Sequence, residues 1–476
     1  MATNRVTAQD FYDYAKCPHR VYLNRFGITA EKLPLADFLN LLFERALLHE
    51  QQVIAGLAYQ RPVGETLTEK AASTVELMAA GVERIYQGVL LEPEYSGVPD
   101  LLERVDGAPS NFGDYFYKPV DIKSGSGYGN EAKGHLREDY GLQLFHYATL
   151  LARIQGRFPP DGEILNKRGE RVDFRLDDFR QAYTEQLPEL RALVTGAKTE
   201  VPALSAHCSK CQWWGHCEAA LTKGQDVTLL SDVGRSKQSV LNAAGIRSIP
   251  DIPNFDFSTV RLKGVGAKTA DSLLKSARVF LSGEIEVFNQ PPLPDPALKI
   301  YMDFEDDPLQ DLIYLCGMWT EPAVNGQNFH ALFGTDEAGE AQLWHDLQSF
   351  CAAIAGRDYA VFHYSSYERT KISSLELKYG MCEKAALDLF RSRMTDLHTV
   401  TKRSVVVPIS SYSIKQIGAF AGHKYSMEDP GGAQSIVWFE EFQRDPSKTE
   451  TRDKLLTYNQ EDCLALKKVH EWLRAL

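Results

Sequence analysis

Apolar residues recur at helical spacing over Leu35–Gly56 and again over Glu69–Gly81, which predicts two helices early in the chain. Val98–Val105 reads as a strand, Asp106-Gly107-Ala108-Pro109 as a turn, and Tyr115–Lys123 as a second strand. A Gly/Ser-rich loop, Ser124-Gly125-Ser126-Gly127, follows. Asp139–Gly156 places Leu142, Phe145, Ala148 and Leu151 on one helical face, and Gly162–Leu176 predicts a hairpin turning at Lys167-Arg168-Gly169. Residues 223–286 show short helical patterns punctuated by glycine. The run Gln290-Pro291-Pro292-Leu293-Pro294-Asp295-Pro296 favours extended backbone and reads as a linker over 287–297. Residues 298–476 open on a strand and then alternate strands with helices, as α/β domains do. The pattern therefore predicts a multidomain α/β protein with boundaries near 222, 286 and 297.

Composition narrows the class. Hydrophobic residues make up 44% and charged residues 24% of 476, the balance of a globular protein rather than a disordered or fibrous one. The apolar runs fall short of the ~18 residues that a membrane helix needs. The first residues, MATNRVTAQDFYDYAKCPHR, lack the apolar centre of a signal peptide, so a cytoplasmic protein without membrane contact is expected. The net charge of −12 argues against a simple basic coat for nucleic acid, but leaves room for metal sites built from carboxylates. Eight cysteines, unevenly placed, point to a metal centre plus bystanders.

On the second predicted strand, Asp121-Ile122-Lys123 puts Asp121 and Lys123 on one face and Ile122 in the core. Asp100 lies at the start of the preceding strand. Two carboxylates on neighbouring strands suit Mg²⁺ or Mn²⁺, which can activate water and offset phosphate charge, with a lysine beside them. Gln143 and Tyr147 are four apart on the following helix, and His49 near the end of an earlier helix offers a further ligand. An isolated D-x-K also fits a solvated strand edge. The ordered set of His, G-x-x-D, D-x-K and Q-x-x-x-Y resembles the RecB-like branch of the PD-(D/E)XK nucleases, which have a restriction-endonuclease-like fold. That resemblance covers nearly all of residues 1–222. It implies His49, Asp100 and Asp121 as metal ligands, Lys123 as the catalytic lysine, and Gln143 and Tyr147 as the motif that orients the site and DNA.

Cys208, Cys211 and Cys217 form C-x2-C-x5-C, and Cys17 stands alone near the N-terminus. Thiolates suit zinc or an iron–sulfur centre. A zinc knuckle that recruits His207 or His216, or simply buried thiols, fits the same spacing. The layout resembles the iron–sulfur RecB-like nucleases, and the resemblance implies a [4Fe-4S] cluster on these four cysteines that staples the domain's ends together. Cys316, Cys351, Cys382 and Cys463 have no such spacing and read as core or incidental thiols.

Leu262-Lys263-Gly264-Val265-Gly266-Ala267-Lys268-Thr269-Ala270 matches the h-x-G-h-G hairpin of helix-hairpin-helix modules, preceded by a related helical stretch over Leu230–Ile252. Glycines permit the tight turn and let backbone N–H groups approach a phosphate. Residues 223–282 carry nine Lys/Arg and five Asp/Glu, a local +4 within the −12 chain. Lys263, Gly264, Gly266, Lys268 and Thr269 are the candidate DNA contacts, and a small helical spacer is the other reading.

In the last segment, Asp303 and Glu305 alternate onto one strand face, and Tyr458 and Asp462 share a helical face. Between them lies His363-Tyr364-Ser365-Ser366-Tyr367-Glu368. The set resembles the DEDD exonucleases of the RNase H-like (DnaQ-like) fold, whose motifs are D-x-E, N-x3-[FY]-D and Y-x3-D. It implies Asp303, Glu305 and Asp462 as ligands for two metals and Tyr458 as the group that orients the attacking water. His363 stands where the family has Asn, and Glu368 where it has Asp. That departure puts turnover in doubt more than fold, and an inactive RNase H-like scaffold stays open. Asp396 is an alternative carboxylate, either a ligand or structural.

The three parts together resemble a bacterial group of RecB-like nucleases fused to a helix-hairpin-helix and a YprB-like RNase H domain. The resemblance implies a Mg²⁺- or Mn²⁺-dependent nuclease that acts on single-stranded DNA or DNA ends in repair, recombination or defence. For the C-terminal domain it leaves the choice between DNA and RNA open. No Walker-type phosphate loop occurs in the chain, so unwinding is expected from a separate helicase. The competing expectations are a nucleic-acid-binding scaffold with idle sites and an RNA-processing exonuclease.

Overall fold

The computed structural model of the protein describes residues 4–130, 133–427 and 431–476. Two compact units emerge: Met1–Pro202 with Ala206–Glu218, and Ala203–Ser205 with Ala219–Leu476.

The first unit begins with helices α1 (Ala8–Lys16), α2 (Pro18–Phe26), α3 (Asp37–Ala55) and α4 (Leu67–Ala79). Local chemistry sets their starts. Thr7 and Asp10 form a capping box on α1, Thr66 and Glu69 one on α4, and Pro18 sits at the first turn of α2, where its missing N–H is harmless. The Thr66 cap starts α4 two residues before the apolar pattern does. A five-stranded sheet follows: β1 (Arg84–Tyr86), β2 (Leu101–Ser110), β3 (Gly113–Ile122), β4 (Asp161–Leu165) and β5 (Arg171–Arg175), in the order β5-β4-β3-β2-β1. Only the β3–β4 pair is parallel, and α5 (Glu138–Gln155) makes that crossover. Leu142, Leu144, Ala148 and Leu151 of α5 are buried with Ile164 and Phe174 of the sheet. The unit also contains α6 (Arg180–Thr195) and the start of α7 (Trp214–Gly224).

Two predicted boundaries move. The strand starts at Leu101 rather than Val98, because Pro99 has no N–H to join a ladder. The expected turn at 106–109 is instead an irregular stretch inside β2. The β2–β3 register shifts between Asp106 and Ser110, and the chain turns at Asn111 and Phe112.

The second unit opens with α8 (Arg235–Ala243) and α9 (Ala267–Ser282), packed through Leu230, Leu241, Ile249, Ile252, Leu273 and Ala277. The helical stretch expected over Leu230–Ile252 is thus one short α-helix with 3₁₀ turns on either side. Beyond it the proline-rich run has no regular secondary structure, yet it is fixed: Leu293 packs against a core cluster, and Asp295 pairs with Arg474 and Lys299.

The remaining elements are β6 (Leu298–Asp307), β7 (Leu312–Val324), β8 (Gln327–Phe333), α10 (Glu337–Ile354), β9 (Tyr359–His363), α11 (Tyr367–Tyr379), α12 (Lys384–Ser392), β10 (Met394–Asp396), α13 (Leu397–Ser404), α14 (Ile414–Phe420), α15 (Gly432–Arg444) and α16 (Thr449–Arg474). The sheet order is β8-β7-β6-β9-β10, antiparallel through β8-β7-β6 and parallel through β6-β9-β10. Alternation along β6 sorts its side chains. Ile300, Met302 and Phe304 join the core with Leu343, Trp344 and Leu347 of α10. Tyr301 faces the other way, into a cluster with Leu466, Val469 and Leu473 of α16. Asp303 and Glu305 share that second face. Among the described residues, no helix is long and apolar enough to cross a membrane.

Candidate functional site

The parity of β6 and the face of α16 bring Asp303, Glu305 and Asp462 together. One ligand oxygen from each lies within 4.8 Å of the others, and no other such group of His, Cys, Asp or Glu occurs among the described residues. Glu305 and Asp462 are buried and Asp303 is half-buried. Burial, and then the charges of Asp462, Glu305 and Glu368, hold the Asp303 carboxyl well above the usual range. Burial and Asp462 push Glu305 up to about 8. Burial also raises Asp462, opposed by the Tyr425 hydroxyl and the Lys415 charge. A set of oxygen donors that repel one another this strongly fits a hard divalent cation such as Mg²⁺ or Mn²⁺.

The expected second motif arrives at the same place. Glu368, in the first turn of α11, is buried, and its charge reaches Asp303. His363, at the end of β9, is fully buried with Nδ1 3.3 Å from Glu368 Oε2. Burial raises the Glu368 carboxyl, and His363 opposes the rise. Tyr458 is buried beside Glu305 and Asp462, and burial drives its phenol upward. Asp396 caps α13, accepting from the Ser365 and His398 N–H groups and from the Thr399 hydroxyl.

Four neighbours carried no sequence signal. Ser435 of α15 donates to Glu305 Oε2 at 2.7 Å, and Tyr425 donates to Asp462 Oδ1 at 2.6 Å. Lys415 of α14 lies over the Tyr458 ring at 4.8 Å and the Tyr425 ring at 5.5 Å. Asn459 of α16 donates to Asp303 Oδ2 at 2.7 Å. Only Asn459 sat inside a recognised motif, as one of its unspecified positions.

In the first unit, Asp100, Asp121 and Lys123 converge. The Asp100 N–H donates to Asp121 Oδ1 at 3.3 Å, and the Ile122 N–H donates to Asp100 Oδ2 at 2.7 Å. Lys123 Nζ lies 2.9 Å from Asp121 Oδ2. Burial and the Asp121 charge push Asp100 up to about 7, with Lys123 pulling it down. Burial works against the Lys123 ammonium, but the two aspartates win and raise its pKa. Tyr147 is buried against Gly97, where an added Cβ would come within 2.6 Å of its ring, and it feels both aspartates. Gln143 turns elsewhere: its Nε2 donates to the Ala8 carbonyl at 3.4 Å, and its Oε1 is buried without a partner. His49 does not join the aspartates in one ligand group. Its Nε2 is buried without a hydrogen-bond partner. Its neighbour Glu50 is the residue whose charge reaches Asp100, held by the Tyr86 hydroxyl at 2.6 Å. A carboxylate directly after a candidate ligand histidine was the available signal for Glu50.

The cysteine segment folds back onto the first unit. Leu33 and Gln212 exchange hydrogen bonds at 2.7 and 2.8 Å, and Trp213 Nε1 donates to Asn24 Oδ1 at 2.9 Å. Cys17 ends α1 and precedes α2, and Cys208, Cys211 and Cys217 lie on the returning segment; all four are half-buried. Burial raises the Cys211 thiol, and Cys17 and Cys208 are among the groups that act on it. His216 is engaged with Glu31 Oε2 at 2.6 Å.

At the hairpin, Leu262 and Val265 bridge, Gly264 adopts φ +75, and Gly266 caps α9. Lys263, Gly264, Gly266 and Lys268 are exposed and Thr269 is half-buried.

A search of curated proteins returns no match to this chain. Residues 300–474 match the family model of the RNase H superfamily, and with the sheet order and the Asp303–Glu305–Asp462 triad this makes the C-terminal part of the chain an RNase H-like domain.

Proposed function

We propose that the protein is a divalent-metal-dependent nuclease that hydrolyses phosphodiester bonds in DNA, with RNA as a second substrate of its C-terminal domain. The observation that carries this reading is the triad of half-buried Asp303 with buried Glu305 and Asp462 in an RNase H-like domain, a superfamily of nucleases. A divalent cation bound there supplies a Lewis acid for the phosphate and lowers the pKa of water. The chain's own groups do the rest. Tyr458, buried beside Glu305 and Asp462, would orient the attacking water, Ser435 and Tyr425 hold two of the carboxylates in place, and Glu368 with His363 completes the set.

The convergence of Asp100, Asp121 and Lys123 supports a second, RecB-like nuclease site in the first unit. There Lys123 sits where it can offset charge on a phosphate oxygen. The soft donors Cys17, Cys208, Cys211 and Cys217 suit a [4Fe-4S] cluster that ties the unit's ends together. The exposed basic hairpin around Lys263 and Lys268 suits contacts to a nucleic-acid backbone. A separate helicase would supply unwound strands.

The test is a Mg²⁺ and Mn²⁺ titration with end-labelled single-stranded DNA, double-stranded DNA and RNA, comparing wild type with Lys123→Ala and Asp462→Ala. Metal-dependent cleavage lost in one variant assigns that substrate to that site. Absence of cleavage under every metal would make the protein a binding scaffold. Absorbance near 400 nm in anaerobically purified protein, lost in Cys211→Ser, tests the cluster, since zinc is colourless.

A further inference from the structure

Asn459 is fully buried on α16, between Tyr458 and Asp462. Its Nδ2 donates to Asp303 twice, to Oδ2 at 2.7 Å and to the main-chain carbonyl at 3.3 Å. Its Oδ1 has no hydrogen-bond partner. A buried amide left half-satisfied is retained against a desolvation penalty, so its other half has a role that an apolar residue would not fill. Gly317 of β7 stands opposite Asp303 in the register. A Cβ at Gly317 would overlap Asn459 Oδ1 and come within 2.8 Å of its Cγ. The amide reaches Asp303 only because position 317 has no side chain.

We infer that Asn459 and Gly317 form a positioning device for the divalent-cation site, with Asn459 holding the Asp303 carboxylate in the ligand position and Gly317 admitting it. The inference rests on the reading of the triad as a cation site. Asp303 faces the charges of Asp462, Glu305 and Glu368, which together drive its carboxylate away from the cluster. Donors from one amide to both its side chain and its main chain fix its rotamer and the height of α16 against β6. Because α16 also carries Tyr458 and Asp462, one clamp sets all three. A neutral amide does this without competing for the cation as a lysine would, and without adding repulsion as a carboxylate would.

The experiment measures Mn²⁺ binding to the full chain by titration calorimetry and electron paramagnetic resonance, alongside thermal melting without metal. All proteins carry Asp121→Asn, so that the first unit's aspartates do not contribute. The reference protein should bind Mn²⁺, and Asp303→Asn should abolish that binding. Asn459→Ala should weaken binding by about tenfold. Gly317→Ala should weaken binding similarly and also lower the melting temperature, because the added methyl displaces the amide. The double variant Gly317→Ala/Asn459→Ala should recover the melting temperature lost in Gly317→Ala but not the Mn²⁺ affinity. Equal recovery of both would reduce the pair to packing and overturn the inference. So would an Asn459→Ala protein that binds Mn²⁺ as tightly as the reference. A reference protein that shows no Asp303-dependent Mn²⁺ binding would instead overturn the reading of the triad, and the inference with it.

Discussion

The two carboxylate clusters differ in how their charge is balanced. In the first unit, Asp100 and Asp121 share an ammonium, with Lys123 Nζ 2.9 Å from Asp121. In the RNase H-like domain, Asp303, Glu305, Asp462 and Glu368 act on one another, and the cation that moderates them, Lys415, sits over the rings of Tyr458 and Tyr425. Burial is the largest cause in both clusters: it helps raise Asp100 to about 7 and Glu305 to about 8, and lifts Asp303 well above the usual range. Under the proposed function, the first site is matched to a single divalent ion assisted by lysine, and the second to two.

The sharpest way to break this comparison is to remove a carboxylate from the RNase H-like cluster. Asp462→Asn should lower hydrolysis by the C-terminal domain by at least about 10³-fold, read by single-turnover cleavage of a labelled strand. Cleavage of that strand at the wild-type rate would end the comparison. Lys123→Ala should reduce cleavage by the first site by about 10²–10³-fold, and should move its activity toward higher pH as Asp100 loses the charge that pulls its pKa down. A pH–rate profile with the two substrates in parallel checks this.

A smaller effect concerns stability without metal. Glu305 holds its proton in the fold up to about 8 but releases it near 4.5 when unfolded. Its contribution is therefore full below pH 4.5 and is lost as the pH rises through about 8. The melting temperature of metal-free protein should fall between pH 6 and pH 8, and added Mn²⁺ should restore it most at pH 8. Glu305→Gln should flatten that slope more than Asp100→Asn does, because Lys123 already moderates Asp100. Equal flattening would mean that the lysine is not the distinguishing feature. Least of all, Lys263→Ala and Lys268→Ala should each reduce the salt dependence of DNA binding by about one unit of log–log slope while leaving both cleavage centres intact.

Most of the secondary structure was legible because periodicity and capping are local. Strand alternation put Asp303 with Glu305, and Asp121 with Lys123, before any tertiary information. The failures were equally local in cause. Pro99 delayed a strand, and the Asp106–Pro109 turn signal was absorbed as an irregularity within β2. The sites were legible where two ligands sat on one element. They were illegible where a neighbour came from a distant loop or helix, as with Ser435, Tyr425 and Lys415. Glu50 shows an intermediate case, since it directly follows His49, the residue on that helix turn that the sequence singled out.

The amino-acid order by itself determined which residues share a face, where the helices start, and which carboxylates are available as ligands. These follow from backbone geometry repeated every two or 3.6 residues. Only the tertiary structure decided which carboxylates meet and what balances their charge. It alone showed that a bare Cα at Gly317 makes room for the Asn459 amide. Those outcomes depend on register and on close approach between elements far apart in the chain, and no local periodicity encodes either.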